Sequence, residues 1–79
     1  MTRAEINESI IRILETGNHD SREDGNELAR LLNRLVYMHS SGEPYTLADA
    51  KLPKRILMQF CAFNIPRNLS NLIAEYLGV

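Results

Sequence analysis

Apolar residues recur along this chain at helical rather than alternating spacing. Ile6, Ile10, Ile13 and Leu14 share one helix face, with Ile11 beside it. Thr2 and Glu5 precede the run at capping-box spacing, where a hydroxyl and a carboxylate pair with free N–H groups of the first turn. Gly17, suited to the left-handed conformation that ends helices, and Asn18 close it. These signals predict a first helix over about 3–16. Next, Leu28, Leu31, Leu35 and Met38 follow the 3-4-3 spacing of a bundle seam, which Leu32 and Val36 widen. Asp20 or Ser21 supplies the N-cap, Glu23 and Asp24 suit the helix dipole, and Ser40-Ser41-Gly42 ends the run. The second helix is therefore expected over about 21–40. Gly25 in its first turns weakens helix propensity by about 1 kcal/mol relative to alanine.

The C-terminal third repeats itself thirteen residues apart. Leu52-Pro53-Lys54-Arg55-Ile56 leads into Phe60-Cys61-Ala62-Phe63, and Ile65-Pro66-Arg67-Asn68-Leu69 leads into Ile73-Ala74-Glu75-Tyr76. Each is an apolar residue, a proline, a basic residue and an apolar-periodic run. Proline loses nothing at a helix start, where its missing N–H would be unpaired anyway. Helices are expected over about 53–63, stopped by Asn64, and over 66–77, stopped by Gly78. Thr46 is suited to cap one short turn over 47–51, after the connection Glu43-Pro44-Tyr45-Thr46. Residues 53–63 are apolar on nearly every side, which calls for a central position or a covering subunit. No segment alternates as a strand would. The fold class is all-α: a compact bundle of four to five short helices, ending in a tight helix-corner-helix pair, in a single domain over 1–79.

Composition narrows the function. Seventy-nine residues, 44% of them hydrophobic, supply a small aliphatic core with two phenylalanines and no tryptophan. One cysteine, Cys61, excludes an internal disulfide, and no Cys/His cluster offers a metal site. No apolar run nears the roughly 20 residues of a membrane span, and the polar residues after Met1 interrupt any signal sequence. A cytoplasmic chain without a membrane role is expected. The net charge of −1 is split, with −3 over residues 1–43 and +2 over 44–79. That basic excess is sparse for a nucleic-acid surface, which needs a dense Lys/Arg stripe.

Three short motifs resemble functional elements. Gly17-Asn18-His19-Asp20 resembles the Gly-Asn-His-Asp/Glu element of calcineurin-like metallophosphoesterases, which implies a two-metal phosphate site; the family's Asp-x-His and Gly-Asp-x-x-Asp elements are absent upstream. The stretch from Asp20 to Gly25 resembles a calcium loop, with Arg22 and Leu31 where ligands belong. Thr46-Leu47-Ala48-Asp49-Ala50 with Leu52-Pro53-Lys54-Arg55-Ile56 resembles the positioning and recognition helices of winged-helix regulators, which implies DNA binding. About one helical turn is missing between the two parts.

The candidate partner-binding residues are Arg30, Arg34 and Tyr37, opposite the leucine seam, and Lys54, Arg55 and Arg67, in the first turns of their helices. Arginine and tyrosine combine apolar area with directional polar groups, and cations beside free N–H groups suit an anionic partner. Leu57, Met58, Phe60 and Phe63 are the candidates for self-association. His39 lies on the seam side and Cys61 in the most apolar segment, where both read as packing groups. No catalytic, cofactor-binding or metal-binding residue is expected. The function expected is a small non-enzymatic protein-interaction module, a homodimeric regulator or inhibitor that occupies a larger protein. Small motif-free chains of this kind are common products of phages and mobile elements. The alternative is a helix-turn-helix-like DNA-binding regulator.

Overall fold

A computed structural model describes residues 2–39, apart from the side chain of His39, and residues 47–78. The elements in order are α1 (Arg3–Thr16), α2 (Arg22–His39), a 3-10 turn (Leu47–Ala50), α3 (Lys54–Phe60) and α4 (Arg67–Leu77). There is no strand among the described residues. The stop at Ser40-Ser41-Gly42, the connection Glu43-Pro44-Tyr45-Thr46 and the Thr46 cap lie outside the described residues.

The capping box at α1 forms as the spacing requires. Glu5 N–H donates to Thr2 Oγ1 at 3.2 Å, and Thr2 N–H donates to Glu5 Oε1 at 2.9 Å. At the other end Gly17 is extended (φ −75°, ψ 166°), not left-handed as expected. Its smallness matters for another reason: a Cβ there would lie 2.5 Å from the Ile13 carbonyl oxygen. Ser21 caps α2, accepting from Asp24 N–H at 3.2 Å. Asp24 Oδ2 in turn accepts from Asn18 N–H at 2.8 Å, which locks the α1–α2 loop.

Both prolines stand one residue before their helices rather than inside them, with extended ψ angles of 146° and 139°. Their carbonyls still start the ladders: Pro53 O accepts from Ile56 N–H and Pro66 O from Leu69 N–H, each at 3.0 Å. α3 is shorter than expected. After Phe60 the chain tightens into i→i+3 bonds, Cys61 N–H to Met58 O and Phe63 N–H to Phe60 O among them. Gly78 ends α4 at φ 76°, the left-handed cap the sequence calls for.

The core is continuous. Ile6 and Ile10 of α1, Leu28, Leu31, Leu32 and Leu35 of α2, Leu57 and Phe60 of α3, and Ile73 of α4 are fully buried. α2 is in contact with α1 and with the 3-10 turn, and α3 with α4. At Gly25, α2 meets the α3–α4 corner so closely that an added Cβ would sit 1.9 Å from the Asn64 carbonyl oxygen. The glycine that costs helix propensity is the point where two backbones cross.

The Gly-Asn-His-Asp motif is part of this joint. Asn18 Oδ1 accepts from Asp20 N–H at 2.9 Å, the His19 carbonyl accepts from Asn64 N–H at 3.0 Å, and the His19 ring meets Phe63 edge-on at 4.4 Å. Among the described residues no group of three or more His, Cys, Asp or Glu could hold a metal ion. The winged-helix resemblance also finds a different geometry: Leu47–Ala50 is a single 3-10 turn, and Ile65 leads into α4 rather than a β-wing. No helix among the described residues is long and apolar enough to cross a membrane.

Candidate functional site

α4 turns Leu69 and Ile73 into the core, and its Leu72 and Tyr76 stand at the edge of that stripe. Across from them, α2 offers Val36 and Asn33, and the 3-10 turn offers Leu47. Together they enclose a groove of about 400 Å³, with Glu75 on its rim. Leu72 is 50% exposed and Tyr76 38% exposed, so the groove is an apolar surface open to solvent. Helical spacing fixes this geometry: residues three and four apart fall on one face, so 69, 72, 73 and 76 form a stripe wider than the core can cover.

A second concavity, of about 710 Å³, opens where α4 begins beside the first turns of α2. Arg22, Asn26, Asn64, Arg67 and Ser70 line it, which makes it polar and cationic. A third, of about 170 Å³, lies between α1 and the segment entering α3.

The structure separates the residues expected to bind a partner. Arg30 is paired with Glu27 one turn earlier on the surface of α2, with Arg30 Nε donating to Glu27 Oε2 at 3.1 Å. That hydrogen bond holds the pKa of Glu27 below the ordinary carboxylate value and raises that of Arg30. Exposed pairs of this kind add little stability. Arg34 and Tyr37 are exposed on the same outer face of α2, Tyr37 at 73%. Lys54 reaches the Tyr76 ring, its Nζ 6.0 Å from the centroid. This places the cation beside the last turn of α4, where a helix dipole favours it. Arg55 lines the third concavity and Arg67 the second, so the three N-terminal cations do not form one patch.

Of the four residues expected to mediate self-association, Leu57, Phe60 and Phe63 are buried within the chain's own core, and Met58 is exposed. Seven helical residues cannot present all the apolar groups of 56–63 to one side, so packing selects the 57/60/63 line. Cys61 is exposed, not packed. Helical spacing puts Leu72 and Tyr76 on the apolar face of 66–77, but periodicity marks a face without saying how much of it a neighbour covers. A scan against protein-family models, a search of curated proteins and a search of solved structures each found no match for this chain.

Proposed function

We propose that this chain is a non-enzymatic protein-interaction module, a regulator that acts by occupying a larger protein partner through the α2–α4 groove. The observation that carries this reading is the apolar groove itself, with half-exposed Leu72 beside Tyr76 on its wall. Covering the exposed half of a leucine contributes about 1 kcal/mol. Tyrosine adds a rigid apolar ring with a polar tip, the combination enriched where interfaces are strongest. Self-association belongs to the same reading. With Leu57, Phe60 and Phe63 enclosed by their own chain, two copies meet through the groove, and dimer and complex exclude one another.

A photo-crosslinking residue placed at Leu72 tests this in the native cell, with the same residue at exposed Glu15 on α1 as control. A discrete protein adduct from position 72 and none from position 15 is expected. Equal labelling from both positions, or none from either, overturns the reading.

A further inference from the structure

We propose that the concavity between α1 and the segment entering α3 is a socket for an acidic peptide segment bearing one bulky apolar side chain. It stands apart from the α2–α4 groove and does not depend on it. Asn7, Ile10 and Ile11 form one wall, and Leu52, Pro53 and Ile56 the other, around about 170 Å³. An apolar cavity of about 150 Å³ is enough to take up benzene, so this space fits one leucine or phenylalanine side chain. Ile10 is fully buried at its base, while Ile11, 45% exposed, stands at the mouth.

The mouth is cationic. Lys51 and Arg55 are among the lining residues, and no carboxylate is. Arg3 approaches from one turn before Asn7, donating from Nη2 to the Lys51 carbonyl at 3.0 Å. None of these three cations has an ion-pair partner among the described residues.

An apolar space with a cationic rim calls for an apolar side chain flanked by negative charge, which an acidic peptide supplies. Its apolar side chain fills the socket, and flanking Asp or Glu side chains meet Lys51 and Arg55, with Arg3 close by. A nucleic acid supplies the charge but no aliphatic group for a space lined by Ile10, Leu52 and Ile56.

The test is a titration of the isotopically labelled chain with synthetic peptides, followed by amide chemical shifts. A short peptide with Asp and Glu around one phenylalanine should saturate shifts at Asn7, Ile11, Leu52 and Arg55. Exchanging its acids for Asn and Gln, or its phenylalanine for alanine, should weaken binding about tenfold or more, and added salt should weaken it too. Arg55→Glu and Ile11→Asp, both at exposed positions, should abolish the saturable shifts, with melting curves confirming that each variant is folded. Leu72→Ser in the groove should leave them unchanged, which separates this socket from the proposed partner groove. The proposal is overturned by any of four results: no saturable shift, shifts centred on the groove, equal binding of the neutral peptide, or equal binding of duplex DNA at the same residues.

Discussion

A methyl group on Gly25 would stand 1.9 Å from the carbonyl oxygen of Asn64 and 2.4 Å from its carbonyl carbon. Both are backbone atoms, so no side chain can rotate away, and α2 and the corner must move apart. Two effects compete in Gly25→Ala. Helix propensity favours alanine by about 1 kcal/mol, whereas overpacking costs about 1–3 kcal/mol and more when the backbone must shift. We expect packing to win, with a net loss of about 2 kcal/mol read as a lower denaturation midpoint. A more stable variant would mean that the two backbones do not touch. Sequence shows only the propensity half of this contest, because the crossing partner lies 39 positions further along the chain. Glu5 was fully legible, since its partner is three residues away. The hydrogen bond from Thr2 N–H, and then that with the Thr2 side chain, hold the Glu5 carboxyl below the usual carboxylate range. A depressed folded value means that its contribution is present above the unfolded value of 4.5 and is lost as pH falls through the folded one. In Thr2→Ala the Glu5 titration, followed by NMR, should move back up towards 4.5. An unchanged midpoint would show that the box is open in solution.

At the scale of elements, the informative case is α3. Its sequence is apolar at 56, 57, 58, 60, 61, 62 and 63, and no periodicity chooses among these. The structure chooses by geometry. From Phe60 onward the chain follows i→i+3 bonds, in which side chains three apart eclipse one another, and Leu57, Phe60 and Phe63 line up inward. Met58, Cys61 and Ala62 are left outside. The expected end at Phe63 was therefore three residues late, because an apolar run looks the same whether its last turn is α or 3-10. Substitution should report the two sides directly. Phe60→Ala should cost about 3–5 kcal/mol, the range for emptying a buried aromatic site. Met58→Ala should stay within about 0.5 kcal/mol, as surface changes do. Similar losses at both positions, measured by denaturant unfolding, would mean that α3 is covered on its outer face. On α2 the 3-4-3 spacing identified the inner face at Leu28, Leu31 and Leu35, since an 18-residue helix gives its pattern room to repeat, but Met38, the last member of the series, is exposed. Leu31, 1% exposed, is part of it. Leu31→Asp should unfold the domain by placing an unpaired charge in the seam, and a cooperative melt near that of the native chain would place the core elsewhere.

For the whole molecule, the question is where its apolar surplus goes. Counted in the sequence, the apolar faces of 21–40, 53–63 and 66–77 together exceed what one chain can hide, and Leu57, Met58, Phe60 and Phe63 are the residues expected to meet a second subunit. Folding instead encloses Leu57, Phe60 and Phe63, and the large apolar side chains left exposed include Leu72, Tyr76, Tyr37 and Met58. Leu72 and Tyr76 are the pair that shares a concave surface with Val36, Leu47 and Leu69. A groove of this size buries far less than the divided-core interface of an obligate dimer, so self-association through it should be weak and reversible. Light scattering should then give about twice the 9.0 kDa chain mass at high concentration and fall towards 9.0 kDa on dilution. The melting temperature should rise with concentration over the same range, because association stabilises by mass action. Leu72→Glu places a charge at the groove wall beside Glu75, where it faces both desolvation and like-charge repulsion from a second copy or a partner. It should hold the chain at single-chain mass, remove the concentration dependence of the melt and abolish the adduct formed by the same crosslinking residue placed at Tyr76 on the groove wall. Leu72 is half exposed, so the fold itself should survive. Dimer lost with adduct formation retained would assign the partner to another face. A native chain of single mass at every concentration would leave the groove to the partner alone.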